Sequence, residues 1–238
     1  MSEKNRRRLT LFGLVVAILG IILLSLRNQV YYPEPAARRA AQNARTEKNF
    51  TYFEGGRKPL VIFYPGALVK PESYSIWAQK VAEVGYPVAV AHFPFDFALL
   101  ASNRADRYAG KSPYVIGGHS LGGVCAARYA AAHAHDANLR GVFLLASYAD
   151  GRGDLSKSGL SVLQVTASRD GVISADSLKR NSRHLPENAV KKVIAGGNHS
   201  GFGSYTLQKG DRKAAISSEK QQEQAAKIMI AWLDSLEK

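Results

Sequence analysis

Residues 114–130 read YVIGGHSLGGVCAARYA, and the centre of that stretch, Gly117-Gly118-His119-Ser120-Leu121-Gly122-Gly123, decides how the chain is read. A short apolar run enters it and an alanine-rich run leaves it. That order predicts a buried strand, a sharp turn and a helix. Gly118-His119-Ser120-Leu121-Gly122 fits the pattern G-x-S-x-G in the strand-to-helix setting the pattern requires. Such a turn lifts the Ser120 hydroxyl off a sheet. Gly118 and Gly122 leave room where neighbouring backbones approach, and the Leu121 N–H, at the helix start, is aimed at negative charge developing on a substrate.

The flanking sequence repeats the alternation. Apolar runs at 59–64, 87–93, 114–118, 140–147, 160–168 and 189–196 read as strands, and helical spacing appears at 72–85, 121–135, 175–185 and 219–238, more weakly at 96–109. Near-continuous apolar strands separated by helices predict an α/β fold, a mostly parallel sheet with helices on both faces. Ligands of such sheets bind beyond the carboxyl ends of the strands, so the strand-to-helix loops are where chemistry is expected.

A serine hydroxyl needs a base, and the base needs an orienting acid. The run 160–168 ends in Ser168-Arg169-Asp170-Gly171, and the run 189–196 ends in Gly197-Asn198-His199-Ser200-Gly201. Asp170 and His199 therefore fall just past strand ends, in the chain order serine, acid, histidine expected for this topology. Asp150 and Asp154 are the substitutes for the acid if Asp170 caps the following helix instead. His119 is expected to pack inward, and Cys125, the single cysteine, to be a buried small apolar residue. Phe93, Phe95, Phe97, Tyr148, Phe202 and Tyr205 follow strand ends and can line an acyl or alcohol pocket. The segment Gln208–Asp211 reads as a surface loop.

YPGALVKPESY (64–74), GGHSLGG (117–123), SRDG (168–171) and GGNHSGFGSYTLQKGD (196–211) give the chain, from about residue 58 to its end, a resemblance to the α/β-hydrolase superfamily. The similarity is to its compact, dienelactone-hydrolase-like branch. It implies a Ser120–His199–Asp170 triad. It also implies a second oxyanion donor from the loop at Gly66-Ala67, the N–H of Ala67, and no metal or organic cofactor. The superfamily hosts many chemistries, so the resemblance does not choose a substrate. Tyr148–Gly159, between two expected strands, is too short for a large helical cap, which predicts an open site for small or surface-presented esters.

The N-terminal part reads differently. Leu9–Leu26, LTLFGLVVAILGIILLSL, is uncharged and nearly long enough to cross a hydrocarbon core of about 30 Å. Lys4, Arg6, Arg7 and Arg8 precede it, which predicts an uncleaved, single-pass signal anchor in the cell membrane with the catalytic part outside the cytoplasm. The organisation expected is therefore a basic cytoplasmic tail (1–8), a transmembrane anchor (9–26), a linker (27–57) and an α/β-hydrolase domain (58–238). Net charge is +13, and more than half of that excess lies before residue 59, as a membrane flank and basic tether rather than a nucleic-acid-binding face. The function expected is a membrane-anchored serine hydrolase of carboxylic esters acting through an acyl-enzyme. An acyltransferase or thioesterase with the same triad is one rival, and a catalytically silent binding domain is another.

Overall fold

A computed structural model of the chain describes residues 29–47, 49–109 and 112–237, with Asn5, Arg7, Arg8 and Phe12–Leu14 from the N-terminal part. The chain divides into two units, residues 1–30 and 31–238. Apart from Phe12–Leu14, the expected anchor at Leu9–Leu26 lies outside the described residues. Among the described residues, no helix is long and apolar enough to cross a membrane.

The second unit is built on eight strands: β1 (Arg45–Glu47), β2 (Phe50–Phe53), β3 (Leu60–Tyr64), β4 (Val88–Ala91), β5 (Tyr114–His119), β6 (Leu139–Leu145), β7 (Ser161–Ala167) and β8 (Val190–Ile194). They form one sheet in the order β1-β2-β4-β3-β5-β6-β7-β8. From β3 onward every pairing is parallel, while β1 and β2 add an antiparallel edge beside β4. The helices are α1 (Pro35–Ala41), α2 (Ser75–Glu83), α3 (Leu121–Ala132), α4 (Ala175–Asn181) and α5 (Ser218–Leu236).

Strand period two sorts the core into two layers. Val61 and Phe63 face the layer of Trp77 on α2 and Met229 and Trp232 on α5. Leu60, Ile62 and Tyr64 face the layer of Cys125, Ala126 and Tyr129 on α3. Both faces are covered, which is why β3 and β5 are buried along their whole length. Strand β3 pairs with β4 on one side and β5 on the other, so the strand order reverses between β3 and β5. A crevice at the carboxyl ends of two such strands is the binding position of an open α/β sheet.

Two places differ from the sequence-based expectation. Residues 31–57, expected as a linker, contribute α1, β1 and β2 to the body, and Tyr31 bridges to Val69 while Pro33 bridges to Tyr205. Residues 96–109, expected as a helix, are short 3₁₀ turns at Pro94–Asp96, Ala98–Leu100 and Arg104–Arg107. The left-handed backbone of Phe95 (φ 54°) and Asp96 (φ 55°) interrupts regular helix at the start of that segment. The connection from β6 to β7 carries no helix, in line with the absence of a cap; Leu155 plugs it into the core instead.

Candidate active site

Ser120 joins β5 to α3 with φ 52° and ψ −125°, a strained conformation for a residue with a Cβ. Neighbouring backbone holds it there. The Ser120 N–H donates to the Leu145 carbonyl (3.1 Å), and the Ser147 hydroxyl donates to the Ser120 carbonyl (2.7 Å). The flanking glycines are dictated by contact. A Cβ on Gly118 would lie 2.5 Å from the Gly122 carbonyl carbon, and one on Gly122 would run into the backbone oxygens of Tyr64 and Pro65. A side chain at Gly122 would push the elbow off β3, and one at Gly118 would push the first turn of α3 away from β5.

Asp170 follows β7 and His199 follows β8. The two strands are neighbours, which brings the side chains together: His199 Nδ1 is 2.9 Å from Asp170 Oδ2. The other Asp170 oxygen accepts from the N–H groups of Val172 (2.8 Å) and Ile173 (2.9 Å). Asp170 closes its own turn and lies beside the histidine, while the cap of the following helix, α4, is Ser174 and not Asp170. His199 is fully buried, and its Nε2 takes no partner from the protein. With Nδ1–H held by the carboxylate, Nε2 is the free basic nitrogen.

The alternative acids are committed elsewhere. Asp150 forms a bidentate pair with Arg128, which holds its carboxyl below the ordinary range. Asp154 accepts from the Ser156 N–H and pairs with His184; the Ser156 side chain first, then His184 and the Ser156 N–H, bring it down to about 2. Cys125 is buried, and burial pushes its thiol up to about 11. Phe202 is fully buried and Phe93 and Tyr205 nearly so, which makes them packing residues; Phe95 is exposed.

The expected oxyanion donors lie on the same backbone. Leu121 is the first residue of α3, so its N–H has no intrahelical acceptor. In the loop after β3, the Gly66 N–H donates to the Tyr74 hydroxyl (3.0 Å) and the Leu68 N–H to the Asp96 carbonyl (2.8 Å). Ala67 lies between these two committed donors.

Two supports escaped sequence reading. The first is Asp211, from the segment read as a surface loop. One of its oxygens accepts from the N–H groups of Gly171 (3.0 Å), Arg212 (2.8 Å) and His199 (3.3 Å). The other accepts from the Ser200 N–H (2.8 Å) and hydroxyl (2.7 Å). Burial raises the Asp211 pKa, but these donors outweigh it and leave a net lowering. The Arg212 guanidinium also donates to the Asp170 carbonyl. Residues 211–212 therefore strap the acid loop to the histidine loop. No periodicity marks an aspartate in a Gly-rich loop; only its place in the block 196–211 pointed to it.

The second support is a buried chain through His119. The Tyr74 hydroxyl accepts from Gly66 N–H, so it donates its own proton to His119 Nδ1 (2.9 Å). His119 then carries its proton on Nε2 and donates to the His199 carbonyl (3.1 Å). Burial first, and the neighbouring His199 second, hold His119 well below the usual histidine range, so it stays neutral. His119 packs inward as expected, and it also ties the β3 loop, the elbow and the histidine loop together.

A model of the alpha/beta hydrolase family matches residues 60–223. The chain belongs to the α/β hydrolase family. Solved structures with a similar fold include a membrane phospholipase A described as a bacterial virulence factor. It is 15% identical, covering 98% of this chain and 99% of that one, with TM-score 0.59. MGS-MChE2, an α/β hydrolase enzyme from the metagenome of lagoon sediments at Mar Chica, Morocco, is 15% identical over 82% of this chain and 99% of that chain, with TM-score 0.58. The esterase domain of a Rhodothermus marinus protein is 11% identical over 77% and 90%, with TM-score 0.52. A comparison with curated proteins found no match.

Proposed function

We propose that this α/β hydrolase is a membrane-anchored serine hydrolase of carboxylic esters, of the compact dienelactone-hydrolase-like kind. The observation that carries the reading is the strained Ser120 at the strand-order reversal, set between β-loops that supply a buried His199–Asp170 pair. Ser120 attacks the acyl carbon while His199 Nε2 takes its proton. Asp170 keeps the ring in the Nδ1–H tautomer and stabilises its cation. The N–H groups of Leu121 and Ala67 receive the oxyanion. His199 returns the proton to the leaving group, and water releases the acyl-enzyme.

The uncharged Leu9–Leu26 stretch behind a basic flank supports anchoring, with the catalytic unit outside the cytoplasm. The cap-less connection between β6 and β7 supports esters that are small or presented at a surface. The test uses a fluorophosphonate probe and p-nitrophenyl acetate on the full chain beside Ser120→Ala. The parent is expected to label and turn over, with both lost in the variant. A folded parent that neither labels nor hydrolyses would return the domain to the silent binding role.

A further inference from the structure

The carboxyl edge of the sheet carries exposed apolar side chains that no core needs. Tyr32, Phe95, Leu99, Leu100 and Leu207 are each more than 40% exposed. They belong to segments that touch one another. Asp96 ion-pairs with Lys70 (2.9 Å), whose ammonium lies 6.0 Å from the Tyr32 ring. The Tyr31 ring is 5.4 Å from that of Tyr205, and its hydroxyl accepts from the Lys209 N–H. Phe95 is not exposed by accident of a loose loop. Phe95, Asp96 and Leu68 all hold left-handed backbone, and the Asp96 carbonyl fixes the Leu68 N–H. Left-handed backbone at three bulky or charged residues persists only where surrounding structure enforces it. A strained turn that places a phenylalanine in water points to something other than water.

Two further observations name the occupant. Tyr31 donates its N–H to the Leu68 carbonyl, beside the expected oxyanion loop, and lies only five residues after Leu26. Five extended residues reach at most about 18 Å. A bilayer holding Leu9–Leu26 would thus be joined to Tyr31, which is bonded to this edge, by no more than that length of chain. The charge also suits such a surface. Arg169, Lys209, Arg212 and Lys213 are exposed in the loops of this edge, whereas Asp96, Asp170 and Asp211 are engaged by Lys70, His199 and the Ser200 donors. Cations beside apolar side chains fit anionic headgroups over acyl chains.

We propose that the rim of Tyr32, Phe95, Leu99, Leu100 and Leu207 rests on an anionic phospholipid bilayer, so that ester substrates reach Ser120 from the membrane surface. The substrate class is then an ester of a bilayer-resident amphiphile. This rests on the ester-hydrolase reading above, and the test separates the two.

The single native cysteine is buried, so an introduced cysteine labels selectively. Full-length Leu100→Cys and Glu187→Cys, the latter before β8 at the opposite end of the sheet, carry an environment-sensitive fluorophore in phosphatidylcholine–phosphatidylglycerol vesicles with spin-labelled lipid. Quenching of at least about half is expected at 100 and little at 187. Equal signals at the two positions overturn the proposal. A blue shift at 100 without lipid quenching also overturns it and assigns the rim to the chain's own apolar segment or a second copy. In parallel, Leu99→Ser with Leu100→Ser is expected to lower hydrolysis of a vesicle-borne fluorogenic ester at least tenfold, with p-nitrophenyl acetate turnover within about twofold of the parent. Loss of both together, or of neither, overturns the docking. A parent inactive on both substrates overturns the ester-hydrolase reading alone, and the quenching result still decides the docking.

Discussion

His119 and His199 lie with ring centroids 4.5 Å apart, both fully buried, yet they live in opposite surroundings. His199 Nδ1 faces a carboxylate and its Nε2 has no protein partner. His119 has both nitrogens occupied, one by a tyrosine hydroxyl and one by a backbone carbonyl. A buried imidazole becomes cationic only where a negative group offsets the lost hydration. The same residue type is therefore a neutral strut in one pocket and, in the proposed mechanism, the proton carrier in the other. Sequence position alone would favour His119, which adjoins the serine; the partner decides instead.

The sharpest way to break the contrast is replacement. His199→Ala is expected to lower kcat on p-nitrophenyl acetate by about 10⁴, while His119→Gln lowers it by about 10- to 100-fold through misplacement of the β3 loop. Equal losses, read from single-turnover rates, would erase the distinction. Asp170→Asn tests the source of the asymmetry. It keeps the shape of the carboxylate but reverses the tautomer, and a fall of about 10³–10⁴ is expected. Tyr74→Phe, which removes the neutral partner of His119, should cost only about 1–2 kcal/mol of stability.

Next comes the strap between the acid loop and the His199 loop. Asp211→Ala strands five donors, and about 2–3 kcal/mol of lost stability is expected in a urea titration, with kcat falling further than Tm predicts. A variant as stable as the parent would show that water replaces the carboxylate. The smallest effect is in pH. His119 titrates lower in the folded than in the unfolded chain, so the unfolded chain binds more protons below about pH 6.5. Stability from this group is full above that pH and falls as pH drops toward the folded value, by up to about 1.4 kcal/mol per unit. Asp211, lowered in the folded state, adds a loss of the same sign at more acid pH. His119→Gln should flatten the first slope in pH-dependent unfolding curves.

What the sequence disclosed and what it hid divide along a physical line. Strands β3–β7 were legible because both faces are largely buried, so each is a mostly apolar run between turn residues, whereas β8 is exposed from Val190 to Val193 and carries two lysines. Ser120, Asp170 and His199 were legible because a parallel sheet places strand ends on one edge and the chain order is restrictive. The pairing of Asp170 rather than Asp150 or Asp154 with the histidine rests on which strand neighbours which, and only the β7–β8 pairing reveals it. Strand β1, with mostly exposed residues, has no apolar signature. The turns at residues 94–107 follow from backbone strain at Phe95 and Asp96, which a helical spacing of alanines and leucines conceals. Tyr74 and Asp211 act through long-range hydrogen bonds, for which no local pattern exists.

The lone Cys125 has a practical consequence. It sits on α3, five residues beyond the elbow serine, wholly shielded and with its thiol pushed up to about 11. A shielded thiol reacts only when its surroundings part, so the rate at which a dilute alkylating reagent captures it is a clock for the opening of the helix that holds Ser120. The chain carries its own stopwatch for that one motion, readable in the presence and absence of vesicles without any added label.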